Sequence, residues 1–220
     1  MSLLRSHSTR LFGVLLILLA GLLPSPGVHA SAYEDMLQAI RNGNDAQVND
    51  LLRRGFDVNT VNPQGETLLM MAAREGQLPV LRAILAAKPR LQARSPLGES
   101  ALMLAAIQGH AAACRLLLEA GAAVNHPGWT PLIYAVARNR LEIARMLIDR
   151  GAEVNAAADN GITALMMAAR DGHLAMVLLL LEHGADPRVV NDAGHSALNL
   201  AIERQHPEVE KLLRRAGVTE

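Results

Sequence analysis

The sequence predicts an all-α solenoid of about six helix–turn–helix units, on three observations. Five glycines, Gly65, Gly98, Gly128, Gly161 and Gly194, recur at steps of 33, 30, 33 and 33 residues. Each opens the same phrase, one variable residue, then Thr or Ser, then an apolar run: Gly65-Glu-Thr-Leu-Leu, Gly98-Glu-Ser-Ala-Leu, Gly128-Trp-Thr-Pro-Leu, Gly161-Ile-Thr-Ala-Leu and Gly194-His-Ser-Ala-Leu. The chain is 50% hydrophobic but only 2% aromatic, so its core must be built from Leu, Ala, Val, Ile and Met, which suits thin helices packed closely. Self-similarity at a fixed period is the signature of a stacked repeat array. Such an array grows in one dimension and needs no second core, so one folded domain is expected.

Residues 1–30 differ from the rest. Arg5, His7 and Arg10 make a basic start, Leu11 to Leu23 an apolar stretch of 13, and Val28-His-Ala30 a small-residue end before Ser31. This three-part pattern predicts a cleavable secretory signal peptide. A membrane span needs roughly 20 apolar residues, and Pro24 and Pro26 stop this stretch short, so no stable membrane insertion is expected after cleavage. No Cys follows the predicted cut and no Arg pair precedes the apolar run, which argues against a lipoprotein and against twin-arginine export. From 21 basic and 21 acidic residues, losing Arg5 and Arg10 leaves 19 against 21, a formal charge of −2. The signs are interleaved and form no basic stripe, so nucleic acid is excluded as an expected partner.

The repeat domain, 31–220, divides into units of approximately 31–61, 62–94, 95–125, 126–157, 158–190 and 191–220, each with two helices. Ser31-x-x-Glu34 predicts a capping box for the opening helix. The fifth unit shows the pattern most fully: Thr163 at the N-cap of a short helix, a break at Gly172, a longer helix over Leu174 to His183, and Gly184 as the left-handed residue after it. One second-helix column reads Leu52, Leu85, Leu118, Ile148, Leu181 and then Arg214. A terminal unit has no neighbour to cover that face, so Arg214, with Lys211 and Arg215, predicts a polar C-terminal cap.

These phrases resemble ankyrin repeats, whose motif runs Gly-x-Thr-Pro-Leu-His-x-Ala-Ala, then Gly-His, then Leu-Leu-x-x-Gly-Ala-Asp-Val-Asn. The marks recur in register in Gly55-Phe-Asp-Val-Asn59, Gly121-Ala-Ala-Val-Asn125 and Gly151-Ala-Glu-Val-Asn155, and in Gly-His at 109–110 and 172–173. The resemblance covers 31–220 and implies antiparallel helix pairs with projecting β-turn fingers. Paired small residues, Ala72-Ala73, Ala105-Ala106 and Ala168-Ala169, would let first helices approach closely. Three departures stand out. Met70, Met103, Ile133, Met166 and Asn199 replace the motif's His, so packing should replace polarity there. Lys88-Pro89 replaces Gly-Ala, which should distort that loop because Pro fixes φ and lacks a donor. Asn125-His-Pro-Gly128 has lost three residues relative to Asn155-Ala-Ala-Ala-Asp-Asn-Gly161, so the finger before the fourth unit is clipped.

No cofactor, metal or catalytic residue is expected. His110, His173 and His206 share one repeat column, and residues one repeat apart are separated by roughly 8–10 Å, too far to close on one ion. His126, His183 and His195 lie apart from that column. No nucleophile elbow or phosphate loop occurs. Cys114 is the only cysteine, so no internal disulfide forms; it reads as a small buried hydrophobe. Met70-Met71 and Met166-Met167 read as core filling, with one of each pair facing inward.

The resemblance implies partner contacts at finger tips and on the exposed side of first helices: Gln64, Glu66 and Met71; Leu97, Glu99 and Leu104; Trp129 and Tyr134; Asn160, Ile162 and Met167; Ala193, His195 and Leu200. Two readings stay open. Met71, Leu104, Met167 and Leu200 either pack between first helices or join an exposed apolar patch, and Trp129 either fills space freed by the deletion or faces a partner. The expected function is a monomeric, non-enzymatic, periplasmic protein-binding module. Exported bacterial members of the family are associated with peroxide defence beside a catalase and with neutralising toxins of neighbouring cells. A secreted effector binding a host protein, and a metal or redox accessory protein, are the alternatives.

Overall fold

The computed structural model describes residues 26–217. Residues 1–25 of the expected signal peptide lie outside the described residues. Six helix pairs follow one another: α1 (Pro26–Asn42) and α2 (Asp45–Arg53), α3 (Leu68–Glu75) and α4 (Leu78–Ala86), α5 (Ala101–Gln108) and α6 (Ala111–Glu119), α7 (Pro131–Ala137) and α8 (Leu141–Asp149), α9 (Ala164–Arg170) and α10 (Leu174–Glu182), α11 (Ala197–Glu203) and α12 (Pro207–Arg215). The odd-numbered helices form one layer and the even-numbered the other, each helix packing on its own partner and on its counterparts before and after. The expected boundary after Ala30 falls inside α1. Ser31 is therefore an interior helical residue and not a cap: α1 already runs through Pro26, the first described residue.

The Thr/Ser after each repeat glycine is the N-cap of the first helix. Thr67, Ser100, Thr130, Thr163 and Ser196 each accept, through Oγ, the N–H three residues on, at 3.2–3.3 Å. The substituted His column folds back onto these caps: Met70 and Met103 are fully buried, and their sulfurs accept the Thr67 and Ser100 N–H at 3.4 and 3.3 Å. Asn199 Oδ1 accepts from Ser196 N–H at 2.9 Å and from its hydroxyl at 2.8 Å. Packing replaces polarity at four of the five positions, with sulfur completing the cap in two units, while the exposed Asn199 stays polar.

Ala72, Ala73, Ala105, Ala106, Ala168 and Ala169 are wholly buried, which is what lets first helices lie side by side. Both members of Met70-Met71 and of Met166-Met167 are buried too. The expectation that only one of each pair faces inward fails because a first helix is covered on several sides at once, by its own second helix and by both neighbours. In the second layer, the fully buried column is one residue earlier than Leu52 to Arg214. Leu51, Ile84, Leu117, Leu147, Leu180 and Leu213 form it, while Arg214 is exposed and paired with Glu210 at 2.9 Å.

Loops between units are tied by asparagine. Asn155 Nδ2 donates to Gly184 O at 2.9 Å and its Oδ1 accepts Asp186 N–H at 2.8 Å; Asn125 does the same with Gly151 and Glu153. At the irregular loop, Lys88 adopts the left-handed φ of 54° that glycine holds elsewhere. The loop is thus less distorted than its sequence suggests, but Pro89 cannot supply the N–H that Ala122, Ala152 and Ala185 donate back to the buried leucine at 2.9–3.0 Å. Lys88→Gly should relieve the left-handed strain and raise stability by about 0.5–1 kcal/mol. Thermal melting would show this as a rise of roughly 1–4 °C, and no rise would mean the loop has relaxed around lysine.

Candidate functional site

Four fingers project between units, each closed by two backbone bonds. Asn62, Ser95, Ala158 and Asn191 donate N–H to the carbonyl four residues on at 2.9–3.0 Å, and the glycines 65, 98, 161 and 194 donate back to those same residues at 2.8 Å. The segment before α7 makes neither bond. Having lost three residues, Asn125 to Gly128 crosses directly to Trp129, leaving an open cleft of about 390 Å³ lined by Asn125, His126, Pro127, Gly128 and, opposite, Glu153 and Ala157.

That gap changes what is exposed. Tyr134 occupies the column of Met71, Leu104, Met167 and Leu200, all of which are buried, yet it is only half-buried. Its ring meets Trp129 edge to face, centroids 5.7 Å apart and planes at 61°. Trp129 keeps 37% of its surface exposed. Glu99, on the preceding finger, faces the Tyr134 hydroxyl: burial first, then the Glu99 charge and its hydrogen bond, raise the phenol pKa. On the other side Asp159 leans over Gly128, its Oδ1 3.1 Å from where a β-carbon would stand.

The remaining expected contact residues divide cleanly. Gln64, Leu97, Asn160, Ala193 and His195 are exposed, and Glu99 and Ile162 half-buried; Leu97 projects furthest, at 84%. Met71, Leu104, Met167 and Leu200 pack between first helices, which settles their open reading towards core. Glu66 is a correction: it is buried, its carboxylate taken by Asn62 Nδ2 at 2.7 Å and by Arg74. Sequence reasoning missed Asp159, whose signal was its place one residue before the variable finger position. It also missed a cavity of about 220 Å³ between α1, the first finger and α3, lined by Leu37, Arg41, Pro63, Gln64, Met71 and Arg74, which no motif announced.

The histidine column proves structural at two of its three positions. His110 and His206 bond through Nε2 to the carbonyls of Arg74 and Arg170 in the preceding unit, at 2.9 and 3.0 Å. Each ring lies over a glycine, Gly76 or Gly172, where a β-carbon would come within 2.6 or 2.5 Å of Nδ1. The glycine's counterpart before His173 is Asn139, at φ 53°; His173 makes no such bond, and its Nδ1 is buried without a partner. His126 has its pKa lowered by burial and then by Arg94. Burial pushes the Cys114 thiol up to about 12, so its reactive thiolate is suppressed at neutral pH. Among the described residues, no group of three or more His, Cys, Asp or Glu could hold a metal, and no helix is long and apolar enough to cross a membrane.

Comparison with known proteins agrees with this geometry. A family model described as ankyrin repeats (3 copies) matches residues 36–126, 85–158 and 154–219. The ankyrin repeat and SAM domain-containing protein 6 of Rattus norvegicus is 34% identical over 135 residues, 59% of this chain. The match spans only 12% of that relative's length. Among solved structures, one chain from the complex of the predatory endopeptidase Bd0816 of Bdellovibrio bacteriovorus with immunity protein Bd3460 superposes with a TM-score of 0.74 at 29% identity. That match covers 82% of this chain and 97% of the other.

Proposed function

The chain belongs to the ankyrin-repeat family, and from that premise we propose that it is a non-enzymatic binding module of the periplasm. It grips a protein partner with its finger tips and the adjoining first-helix face. The observation that carries this is the clipped finger, beside which Tyr134 is half-buried in a column that is buried elsewhere and stacks edge to face with a partly exposed Trp129, with Leu97 exposed on the intact finger before it. Trp and Tyr are the side chains over-represented among those that dominate binding energy. Export rests on the three-part pattern of residues 1–30.

Of the roles expected for exported members, neutralising an enzyme has a specific observation in its favour. The structural match belongs to a complex that pairs an endopeptidase with an immunity protein, so we read this chain as a binder that holds a partner enzyme in check. The test is affinity capture from periplasm with wild type and with a Trp129→Ala/Tyr134→Ala variant. The variant should melt within a few degrees of wild type and lose the captured partner, each anchor being worth roughly 2 kcal/mol of binding. Equal capture by both would overturn the proposal, and a large fall in melting temperature would make Trp129 a core residue.

A further inference from the structure

Building on the finger-surface reading, we infer that the notch at the clipped finger is a receptor for one basic side chain of the partner, an arginine in preference to a lysine. At the clipped finger Trp129, 37% exposed, and Tyr134, half-buried, meet edge to face. Two carboxylates flank them from opposite sides, Glu99 against the Tyr134 hydroxyl and Asp159 over Gly128. Beside them Leu97 offers an open apolar shelf, and Asp192 continues the acidic line on the next finger, its Oδ1 2.9 Å from the place of a Gly161 β-carbon.

The charges decide which occupant fits. Among the described residues Glu99, Asp159 and Asp192 make no ion pair; the Glu99 carboxylate meets Ser95 Oγ at 3.4 Å, and its charge helps raise the Tyr134 phenol pKa. Arg94 places a positive charge near the clipped finger, where it acts on His126. Any partner that covers the aromatic pair also covers Glu99 and crowds Asp159, and a carboxylate desolvated without a counter-charge is heavily penalised. A neutral apolar anchor therefore satisfies the rings and offends the carboxylates. A cation satisfies both: it is attracted to a ring face within roughly 6 Å of the centroid, and its aliphatic stem can lie along Leu97 while its head stays polar. Arginine suits the site better than lysine because its planar fork stacks on a ring and meets a carboxylate with two N–H groups at once.

Trp129 is the only tryptophan in the chain, so its emission reports on the notch directly. Purified protein would be titrated with three blocked pentapeptides, Gly-Gly-X-Gly-Gly, where X is arginine, norleucine or glutamate. The arginine peptide should shift the emission saturably, the norleucine and glutamate peptides should not, and a Glu99→Gln/Asp159→Asn variant should bind arginine about tenfold more weakly. Norleucine binding as tightly as arginine, an unchanged affinity in the double variant, or no saturable shift with arginine would each overturn the inference. Far-UV circular dichroism establishes that the variant, isosteric at both positions, is folded. Periplasmic capture with the same variant separates this inference from the reading beneath it. If Glu99→Gln/Asp159→Asn captures like wild type while Trp129→Ala/Tyr134→Ala does not, the surface stands and the basic anchor falls. If both capture like wild type, the surface itself falls.

Discussion

Leu117→Ala is expected to be the most damaging single truncation, lowering stability by about 3–4 kcal/mol. Leu117 is fully buried in α6, within the third of six units, so its side chain is enclosed by its own helix pair and by the pairs on both sides. Removing three carbons there costs their transfer free energy and leaves a cavity whose walls are helices already in contact, which cannot close over it. The loss should appear as a fall in melting temperature of roughly 6–16 °C. The neighbouring residue calibrates the argument. Leu181, from the column one residue later, is only half-buried, and Leu181→Ala should cost about 1 kcal/mol. Leu213 supplies the second comparison. It is as buried as Leu117 but lies in the last unit, which has one neighbour; because an array couples only to nearest neighbours, Leu213→Ala should fray that unit before lowering the main transition. Equal losses at all three positions would mean that the array unfolds as one undivided core.

How much of this was legible in the sequence follows from where the repeat constrains the chain. The glycine phrases, the Thr/Ser caps and the break at Gly172 are backbone requirements, repeated once per unit, and they appear where their spacing puts them. Apolar type alone marks the column from Leu52 to Leu181; with two to four consecutive Leu or Ile in each of these second helices, type cannot say which one points inward, and the structure puts the centre one residue earlier. The Met pairs misled for a related reason, since an amphipathic reading assumes one covered face and a first helix here has several. At the candidate site the shortened step between Gly98 and Gly128 located the notch, because an insertion or deletion shows in a periodic chain. What could not be read was the reach of side chains across units: Glu66 turning in to Arg74 and Asn62, Glu99 reaching Tyr134, Asp159 leaning over Gly128. These contacts depend on the lateral spacing of units, which no single repeat encodes.

Gly76→Ala puts that lateral spacing to the test, with an expected loss of about 2–3 kcal/mol from the addition of one methyl group. Two effects contribute. Gly76 holds φ at +69°, where a β-carbon costs roughly 1 kcal/mol or more. The new methyl would also lie 2.6 Å from Nδ1 of His110, a ring pinned from the next unit by its Nε2 bond to Arg74 O at 2.9 Å. The ring must swing away, and a partly buried carbonyl then loses its partner at a further cost of about 1–2 kcal/mol. Gly121→Ala isolates the first effect: its φ is +90° but a β-carbon there meets nothing within 4 Å, so it should lose only the conformational part. The second effect is isolated by adding His110→Ala. In the Gly76→Ala background that change should cost little, since the bond is already broken, whereas in wild type it should cost the full bond; the two values should differ by about 1 kcal/mol or more in a double-mutant cycle. A histidine that sits over glycine for packing alone would give an additive cycle, and the inter-unit bond would then contribute nothing to holding the second and third units in register.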